Sequence, residues 1–229
     1  MTQVKVMKDI LQTNNSVAGT IRTRYDSEGV LVLNFVSSPG AGKTTLLERT
    51  VAGLKNDMKI GVVEGDLSTS LDAERIAQHG IPVIQINTDG GCHLEAWQVN
   101  SALAELPDEH FDMLIIENVG NLVCPTNFDL GEDKKVLVMS LTEGDDKPLK
   151  YPGSFTAVEA VVINKIDLAP YLPAKVETMR ENALSINPHL KIFEVSCTSG
   201  EGLDAWFQWV RDLRAAKGTR LTGEQPTNA

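Results

Sequence analysis

The chain is poor in cysteine, in basic residues and in long apolar runs, and each shortage excludes a class of protein. Three cysteines among 229 residues are too few and too scattered for a disulfide framework. The formal net charge of −10, from 31 acidic and 21 basic residues, argues against a nucleic-acid interface, which needs a basic face. Since no apolar run reaches membrane-spanning length and the first residues lack a signal-peptide pattern, we expect a cytoplasmic protein.

What the chain does contain is a regular alternation of apolar runs and helix-compatible stretches. The apolar runs are nearly continuous, which is typical of parallel strands that are buried on both faces. This pattern predicts an α/β fold with a doubly wound, mostly parallel sheet flanked by helices. Strands are predicted over 30–36, 59–63, 82–86, 113–117, 135–139, 160–163 and 192–195, and helices over 46–54, 71–77, 94–106, 173–186 and 203–213.

Residues 4–25 are predicted to form an additional amphipathic helix before the first strand. Its apolar positions have only roughly helical spacing, and Asn14-Asn15 and Gly19 weaken the pattern. We therefore divide the chain into an N-terminal helical extension over 1–28, a main domain over 29–214 and a flexible tail over 215–229.

The segment Ser37-Ser38-Pro39-Gly40-Ala41-Gly42-Lys43-Thr44-Thr45 follows the first predicted strand and precedes a helix. This order of strand, glycine-bearing turn, Gly-Lys-Thr and helix is that of a phosphate-binding P-loop, although Ser37 replaces the usual first glycine. Backbone N–H groups of such a turn surround phosphate oxygens. We predict that Lys43 supplies charge to the β- and γ-phosphates and that Thr44 binds Mg²⁺. The predicted phosphate-binding residues are Pro39, Gly40, Ala41, Gly42, Lys43, Thr44 and Thr45.

Acidic residues follow two of the predicted strands, at the sheet edge where open α/β proteins bind their ligands. Glu117 ends one of them and is predicted to hold Mg²⁺ opposite Thr44, with Gly120 offering a backbone N–H to the γ-phosphate. Asp66 and Asp72 are further Mg²⁺ candidates, although Asp72 is equally suited to complement a helix dipole. Catalytic roles are predicted for Lys43, Asp72 and Glu117.

The base of the nucleotide is predicted from Asn164-Lys165-Ile166-Asp167, about 120 residues after the P-loop. The Asp167 carboxylate accepts hydrogen bonds from two guanine donors that adenine does not present, and an unpaired buried carboxylate would be costly. Asn164 contacts the base edge or braces the P-loop, and the Lys165 stem lies over the ring. A backbone N–H in the segment of Ser196 and Cys197 is placed to meet the guanine oxygen. The predicted ligand is GTP or GDP.

Cys92 and His93 open a predicted helix, and Cys124 follows the strand that ends at Glu117. Cysteine and histidine are suited to Zn²⁺ or Ni²⁺, but one chain offers only three ligands here. Two chains related by a two-fold axis would share a complete site. Two interpretations stay open from these residues alone, since Cys92 and Cys124 are equally compatible with small buried apolar positions and His93 with a helix start.

Taken together, these motifs resemble the HypB family of hydrogenase nickel incorporation GTPases over roughly residues 30–213. Urease accessory GTPases share the P-loop class, but their metal motif is Cys-Pro-His, and Cys92-His93 lacks the intervening proline. The segments that carry the resemblance are the P-loop, Glu64-Gly65-Asp66, Asp72-Ala73-Glu74-Arg75, Gly91-Cys92-His93-Leu94, Glu117-Asn118-Val119-Gly120-Asn121-Leu122-Val123-Cys124-Pro125 and Asn164-Lys165-Ile166-Asp167.

The resemblance implies a P-loop GTPase that forms a GTP-dependent homodimer and delivers Ni²⁺ to the [NiFe]-hydrogenase large-subunit precursor. It also implies cooperation with the nickel metallochaperone HypA, and Ni²⁺ or Zn²⁺ binding by Cys92, His93 and Cys124 at the dimer interface. An N-terminal nickel motif, present in some relatives, is not expected, since the first 91 residues contain no cysteine and only His79. The alternatives are a urease-type metal-delivery GTPase and a nickel-binding module with a vestigial GTP site.

The mechanism we expect is a switch with slow hydrolysis of GTP to GDP and phosphate. Cys124 lies seven residues beyond Glu117, on the same connection. Movement at the γ-phosphate is therefore expected to reposition Cys124 relative to Cys92 and His93, which would couple nucleotide state to metal affinity or dimerisation.

Overall fold

A seven-stranded parallel sheet forms the centre of the computed structural model, which describes residues 3–66 and 70–222, with side chains over 11–66 and 70–218. The strands stand in the order β3-β2-β4-β1-β5-β6-β7, and every neighbouring pair is parallel. This arrangement confirms the predicted α/β class with a doubly wound parallel sheet. The strands are β1 Leu31–Ser37, β2 Ile60–Asp66, β3 Val83–Asn87, β4 Met113–Gly120, β5 Lys134–Ser140, β6 Ala160–Asn164 and β7 Lys191–Glu194.

Eight α-helices connect and cover these strands over the described residues. They are α1 Gln3–Glu28, α2 Lys43–Leu54, α3 Leu71–Ala77, α4 Ala96–Ala104, α5 Lys147–Lys150, α6 Pro152–Thr156, α7 Val176–Ile186 and α8 Leu203–Thr222. Three 3₁₀ turns lie at Cys124–Asn127, Leu141–Glu143 and Ile166–Tyr171. The sequence pattern missed α5, α6 and the 3₁₀ turns because elements of three to six residues are too short to show a helical period. Within the described ranges, no helix is long and apolar enough to cross a membrane.

Strand β1 shows why both sheet faces need helices, since its apolar side chains alternate between the two faces of the sheet. Leu33 and Phe35 pack with α2 and with Trp206 of α8, whose ring meets Phe35 edge-on at 5.8 Å between centroids. Val32, on the opposite face, belongs to the cluster that contains Ile21 of α1 and residues of α4. The sheet is therefore buried on both sides, and its carboxyl-end edge remains the place for a ligand.

The last helix is longer than the sequence predicted. A helical end near Leu213 and a flexible tail from Ala215 were expected, but α8 continues to Thr222. Lys217 is 5% exposed and donates hydrogen bonds to Asp26 of α1 and to Asp133 before β5. These two ion pairs hold the added turns against the domain, and neither partner is visible in the local sequence pattern. The remainder of the predicted tail, 223–229, lies outside the described residues.

Candidate functional site

The connection between β1 and α2 has the backbone conformation that a phosphate-binding turn requires. Gly40 and Gly42 have φ values of +76° and +92°, in the left-handed region that favours glycine. A Cβ atom on Gly42 would also overlap the side-chain amide of Asn164. Ser37, where the usual pattern has glycine, ends β1 as a buried residue and pairs with Asn121 through an antiparallel bridge. Serine is therefore accommodated within the sheet, and the turn itself begins after it.

A cavity of about 490 Å³ opens above this turn, at the carboxyl ends of β1, β2 and β4. Six residues predicted for the nucleotide or Mg²⁺ site are not part of its described lining, namely Ala41, Glu117, Asn164, Asp167, Ser196 and Cys197, and Glu117 lies fully buried beneath Lys43 and Thr44. Ten residues predicted to contact nucleotide or Mg²⁺ do line it, namely Pro39, Gly40, Gly42, Lys43, Thr44, Thr45, Asp66, Asp72, Gly120 and Lys165.

The residues predicted for catalysis meet directly at the base of the cavity. Lys43 Nζ donates to Glu117 Oε1 at 2.5 Å, and this ion pair is buried, with side-chain exposures of 9% and 0%. Thr44 Oγ1 lies 2.7 Å from Glu117 Oε1 and 3.0 Å from Asp72 Oδ2. Asp72 also stands in the first turn of α3, as the dipole interpretation expected, so its two predicted roles are compatible.

Glu64 is a second buried carboxylate at this site, and the sequence analysis did not select it. Parallel register pairs it with Glu117 on the neighbouring strand, and it is 2% exposed. Glu64 Oε2 and Glu117 Oε2 have no hydrogen-bond partner among the described residues. Burial, together with the charge of Glu117, raises the pKa of Glu64 to about 8, against the opposing effect of Lys43. The sequence signal was the run Glu64-Gly65-Asp66, but only the strand register shows that Glu64 faces Glu117.

We expect Glu64→Gln to stabilise the nucleotide-free, metal-free protein more at pH 8 than at pH 5. The raised pKa means that Glu64 stays protonated in the fold while it ionises in the unfolded chain above pH 4.5. Stability is therefore lost as the pH rises from about 4.5 to about 8, and glutamine removes that loss. Since one pKa unit corresponds to about 1.4 kcal/mol and residual structure in the unfolded chain reduces the full difference, we expect a gain on the order of 3 kcal/mol at pH 8. Urea denaturation at both pH values measures it, and an equal gain at both would contradict this origin.

Arg75 also reaches the cavity, although it entered the sequence analysis only as part of the resemblance. Its guanidinium donates to Asp72 Oδ1 at 3.0 Å, to Glu48 Oε2 at 2.5 Å and to Thr45 Oγ1 at 3.3 Å. These contacts join α3 to α2 and orient the Asp72 carboxylate towards Thr44. The bonding partners are set by helix packing, which the sequence pattern alone does not reveal.

The predicted guanine motif is hydrogen-bonded to the P-loop. Asn164 Nδ2 donates to the carbonyl of Ala41 at 3.1 Å, and Lys165 Nζ donates to the carbonyl of Gly40 at 2.7 Å. Asn164 Oδ1 accepts the backbone N–H of Cys197 at 3.1 Å, so the segment after β7 joins the same arrangement. Ser196 and Cys197 are buried, whereas Asp167 is exposed at the start of the 3₁₀ turn that follows β6. An exposed carboxylate beside a braced P-loop is available to a base.

Cys92 contacts both His93 and Cys124, outside the described lining of the nucleotide cavity. Cys92 Sγ lies 3.4 Å from His93 Nδ1, and a hydrogen bond with Cys124 raises the pKa of the Cys92 thiol. The His93 ring stacks on Phe128 with 3.8 Å between centroids, and burial lowers the pKa of His93, which favours the neutral ring that binds metals. Over the described part of one chain, no three His, Cys, Asp or Glu side chains form a metal-binding group.

The burial of the two cysteines separates the two interpretations left open by the sequence. Cys92 is exposed and Cys124 is partly exposed, whereas Cys197 alone is buried. The interpretation of Cys92 as a small buried apolar residue is therefore wrong. An exposed thiol beside a neutral imidazole is accessible to a metal ion and to a second chain.

Comparison with known proteins agrees with these motifs. The family described as "CobW/HypB/UreG, nucleotide-binding domain" matches residues 31–194. The hydrogenase maturation factor HypB of Rhizobium leguminosarum bv. viciae is 49% identical over 217 residues, covering 95% of this chain and 73% of that protein. The hydrogenase/urease maturation factor HypB of Helicobacter pylori is 43% identical over 205 residues, covering 88% and 84%. A crystal structure of Helicobacter pylori HypB in complex with nickel superimposes with a TM-score of 0.84 at 39% identity, covering 95% of this chain and 99% of that one.

Proposed function

Since the chain belongs to the HypB hydrogenase maturation factors of the CobW/HypB/UreG nucleotide-binding family, we propose that it hydrolyses GTP and that its nucleotide state controls a nickel or zinc site shared by two copies. The observation that carries this proposal is the bonding of the Asn164-Lys165 segment to the carbonyls of Ala41 and Gly40. A phosphate-binding turn and a guanine-reading motif that share hydrogen bonds form one nucleotide site.

Guanine selection is assigned to Asp167. Its exposed carboxylate accepts from the ring N–H and the exocyclic amine of guanine, while Asn164 holds the strand end against the P-loop. Lys165 has a left-handed backbone, with φ at +63°, and its ammonium bonds Gly40, so its aliphatic stem extends from the base motif towards the P-loop. These contacts support GTP or GDP as the ligand.

Mg²⁺ fits the carboxylates and hydroxyl at the base of the cavity. The unpartnered Glu64 Oε2 and Glu117 Oε2 are hard oxygen donors buried beside a single ammonium, and Mg²⁺ prefers such donors. We assign Thr44, Asp66, Asp72 and Glu117 as the residues that would hold it, with Glu64 beside them. When bound, Mg²⁺ neutralises charge on the β- and γ-phosphates.

Hydrolysis then depends mainly on positioning and charge. Gly40 and Gly42 give the turn that lines the cavity its left-handed backbone conformation, and Lys43 supplies the buried positive charge. Arg75 holds Asp72 in place through a 3.0 Å hydrogen bond. Gly120, at the end of β4, lines the same cavity and offers its N–H to the γ-phosphate. A vestigial GTP site is disfavoured, because these groups form a connected and accessible arrangement.

Asp167→Asn is expected to abolish the preference for guanine and to allow xanthine nucleotides instead. An amide presents a donor where guanine also presents one, so at least about 1–3 kcal/mol of GTP affinity is lost, which is about 5–150-fold. Competition binding with GTP, ATP and xanthosine triphosphate measures this change. Asp145→Asn is a suitable control, since the Asp145 carboxylate accepts the backbone N–H of Lys175. Unchanged selectivity in Asp167→Asn would contradict the assigned base contact.

The site for the delivered metal ion, called the cargo site, is assigned to Cys92, His93 and Cys124, with the remaining ligands supplied by a second copy of the chain. A relative of this chain has been crystallised with nickel, and the exposed thiol and neutral imidazole suit the same ion. Two large apolar side chains lie exposed beside the ligands, Trp97 at 57% and Val123 at 48%. Such a surface supports a symmetric homodimer, because a two-fold axis brings the same patch and the same ligands together.

Within hydrogenase maturation, we assign the chain the delivery of Ni²⁺ to the [NiFe]-hydrogenase large-subunit precursor in the cytoplasm, in cooperation with the metallochaperone HypA. Relatives named hydrogenase maturation factor support this assignment, although the name of the Helicobacter pylori relative includes urease as well. The absence of the urease-motif proline from Cys92-His93 favours it over a urease-type role. We assign the nucleotide and metal residues to the main domain over 29–214, against which the described helix α1, Gln3–Glu28, packs through α4 and β1.

A further inference from the structure

Leu94 connects the Cys92-His93 turn to both acidic strands. Its side chain is fully buried and packs on Gly65, where a Cβ atom would lie 2.8 Å from Leu94 Cγ. Its backbone N–H donates to Asn118 Oδ1 at 3.0 Å. Gly65 stands between Glu64 and Asp66 at the end of β2, and Asn118 directly follows Glu117 in β4. Leu94 therefore packs between the ends of β2 and β4, the two strands that carry the carboxylates of the nucleotide site.

Burial and hydrogen bonds hold the Asn118 side chain between these partners. It is fully buried, and its Oδ1 accepts a second backbone N–H, from Val119 at 3.0 Å. Successive residues of a strand face opposite sides of the sheet, so Glu117 faces the ion pair with Lys43 while Asn118 faces the Cys92-His93 turn. A shift of β4 that moves one of these side chains moves the other.

A series of polar contacts also connects Asn118 to the segment that follows Cys124. Asn118 Nδ2 donates to Asn34 Oδ1 at 3.5 Å, and Asn34 Nδ2 donates to Glu132 Oε1 at 3.1 Å. Glu132 pairs with Lys135 at 3.3 Å. The Lys135 ammonium is buried and donates to the carbonyls of the turn after Cys124, at Pro125, Thr126 and Phe128, over 3.0–3.4 Å.

We propose that Asn118 is a positioning residue that links the nucleotide cavity to the metal ligands, because its side chain joins β4 to the Cys92-His93 turn and, through Asn34, to the Cys124 segment. This role rests on the proposed function, in which nucleotide state and metal affinity are coupled. The buried Asn118 amide bonds Leu94 directly, whereas it reaches the Cys124 segment only through the series of polar contacts that begins at Asn34. A displacement of Glu117 is thereby transmitted to the distance between the two segments. Spatial connection alone does not establish coupling, so the test measures the coupling itself.

Asn118→Ala is expected to weaken Ni²⁺ binding about tenfold, as is typical when a residue that orients metal ligands is removed. In wild-type protein, Ni²⁺ affinity should differ at least about fivefold between the GDP complex and the complex with a non-hydrolysable GTP analogue. In Asn118→Ala this ratio should fall to within about twofold of one. Calorimetric Ni²⁺ titrations of the full chain in both nucleotide states give these values.

Asn187→Ala is the matched control. Asn187 Oδ1 also accepts a backbone N–H, from His189 at 3.1 Å, and its Nδ2 donates to the carbonyls of Phe155 and Val158. This variant loses an equivalent set of bonds at the end of α7 and should keep the wild-type ratio. A ratio that survives in Asn118→Ala would overturn the role of Asn118 alone. Equal Ni²⁺ affinities in the two states of wild-type protein would overturn the proposed coupling, and the role of Asn118 with it.

Hydrogen exchange at single amides of wild-type protein tests the same link without a variant that might unfold. The Leu94 amide is expected to exchange at different rates in the GDP and GTP-analogue complexes, since its acceptor moves with β4. The His189 amide, bonded to Asn187 in the same way, should exchange equally in both. Identical rates for Leu94 in the two complexes would overturn the proposal.

Discussion

The double variant Cys92→Ala with Cys124→Ala is expected to lose stoichiometric Ni²⁺ binding while it still binds GTP. Its two thiols are the softest donors of the assigned site, and removing them leaves only the His93 imidazole of each copy. Two imidazoles without a thiolate do not complete a four-ligand site. Elemental analysis of the purified dimer and Ni²⁺ titration measure the loss, and a fluorescent GTP analogue reports the nucleotide site.

The nucleotide site should be unaffected, because Cys92 and Cys124 do not line the described wall of its cavity. His189→Ala is a suitable control, since this histidine is exposed and follows α7 instead of the ligand turn. The control should bind Ni²⁺ as the wild-type chain does. Retained stoichiometric Ni²⁺ in the cysteine variant would place the cargo site elsewhere.

Metal binding at this site should also release protons. The hydrogen bond with Cys124 keeps the Cys92 thiol protonated in the absence of metal, whereas a bound thiolate has lost its proton. Ni²⁺ affinity in the wild-type chain therefore rises with pH. The same reasoning leaves the neutral His93 ring ready for metal at pH 7.

Local sequence was sufficient to predict the sheet and the P-loop. Strand and helix alternate along most of the chain, with a 3₁₀ turn in place of a helix between β4 and β5, and a glycine turn followed by Lys43 has few other structural uses. The predicted strand ends were short by several residues at β2 and β4, which continue through Asp66 and Gly120. Polar residues at these ends resembled the start of a loop, yet they remain in the parallel ladder.

Side-chain pairs between distant segments could not be predicted in the same way. Glu64 was passed over because only register brings it opposite Glu117. Asn14 weakened the predicted first helix, but in the structure it is 4% exposed. Its side chain accepts the backbone N–H of Ala96, at the start of α4, and donates to the carbonyl of Asp129, each at 2.8 Å. A residue that is unfavourable for an isolated helix is here retained by its tertiary hydrogen bonds.

Glu117→Gln is expected to reduce GTP hydrolysis at least about a hundredfold, comparable to the loss of one essential charge-stabilising group. The carboxylate accepts hydrogen bonds from both the Lys43 ammonium and the Thr44 hydroxyl, so glutamine removes the negative charge that these two groups contact. Mg²⁺ affinity should fall with it, because a neutral amide oxygen is a weaker ligand than a carboxylate. Turnover measured across a Mg²⁺ titration reports both changes.

Glu159→Gln controls for the loss of any carboxylate, since Glu159 Oε2 accepts the Lys135 N–H at 2.8 Å at the amino ends of β5 and β6, the opposite edge of the sheet from the nucleotide cavity. Its turnover and Mg²⁺ dependence should match the wild-type chain. An unaltered Mg²⁺ dependence in Glu117→Gln would contradict the assigned ligand.

Comparison with Glu64→Gln separates the roles of the two paired carboxylates. Each variant relieves the repulsion between them, but only Glu117→Gln deprives the buried Lys43 of its ion-pair partner. Removing one partner of a buried ion pair destabilises a protein by roughly 3–5 kcal/mol, because the other charge remains uncompensated. Glu117→Gln should therefore unfold at lower urea than the wild-type nucleotide-free protein at pH 8, whereas Glu64→Gln unfolds at higher urea. If both variants were stabilised equally, the ion pair with Glu117 would not be what compensates the buried charge of Lys43, and another group would have to compensate it.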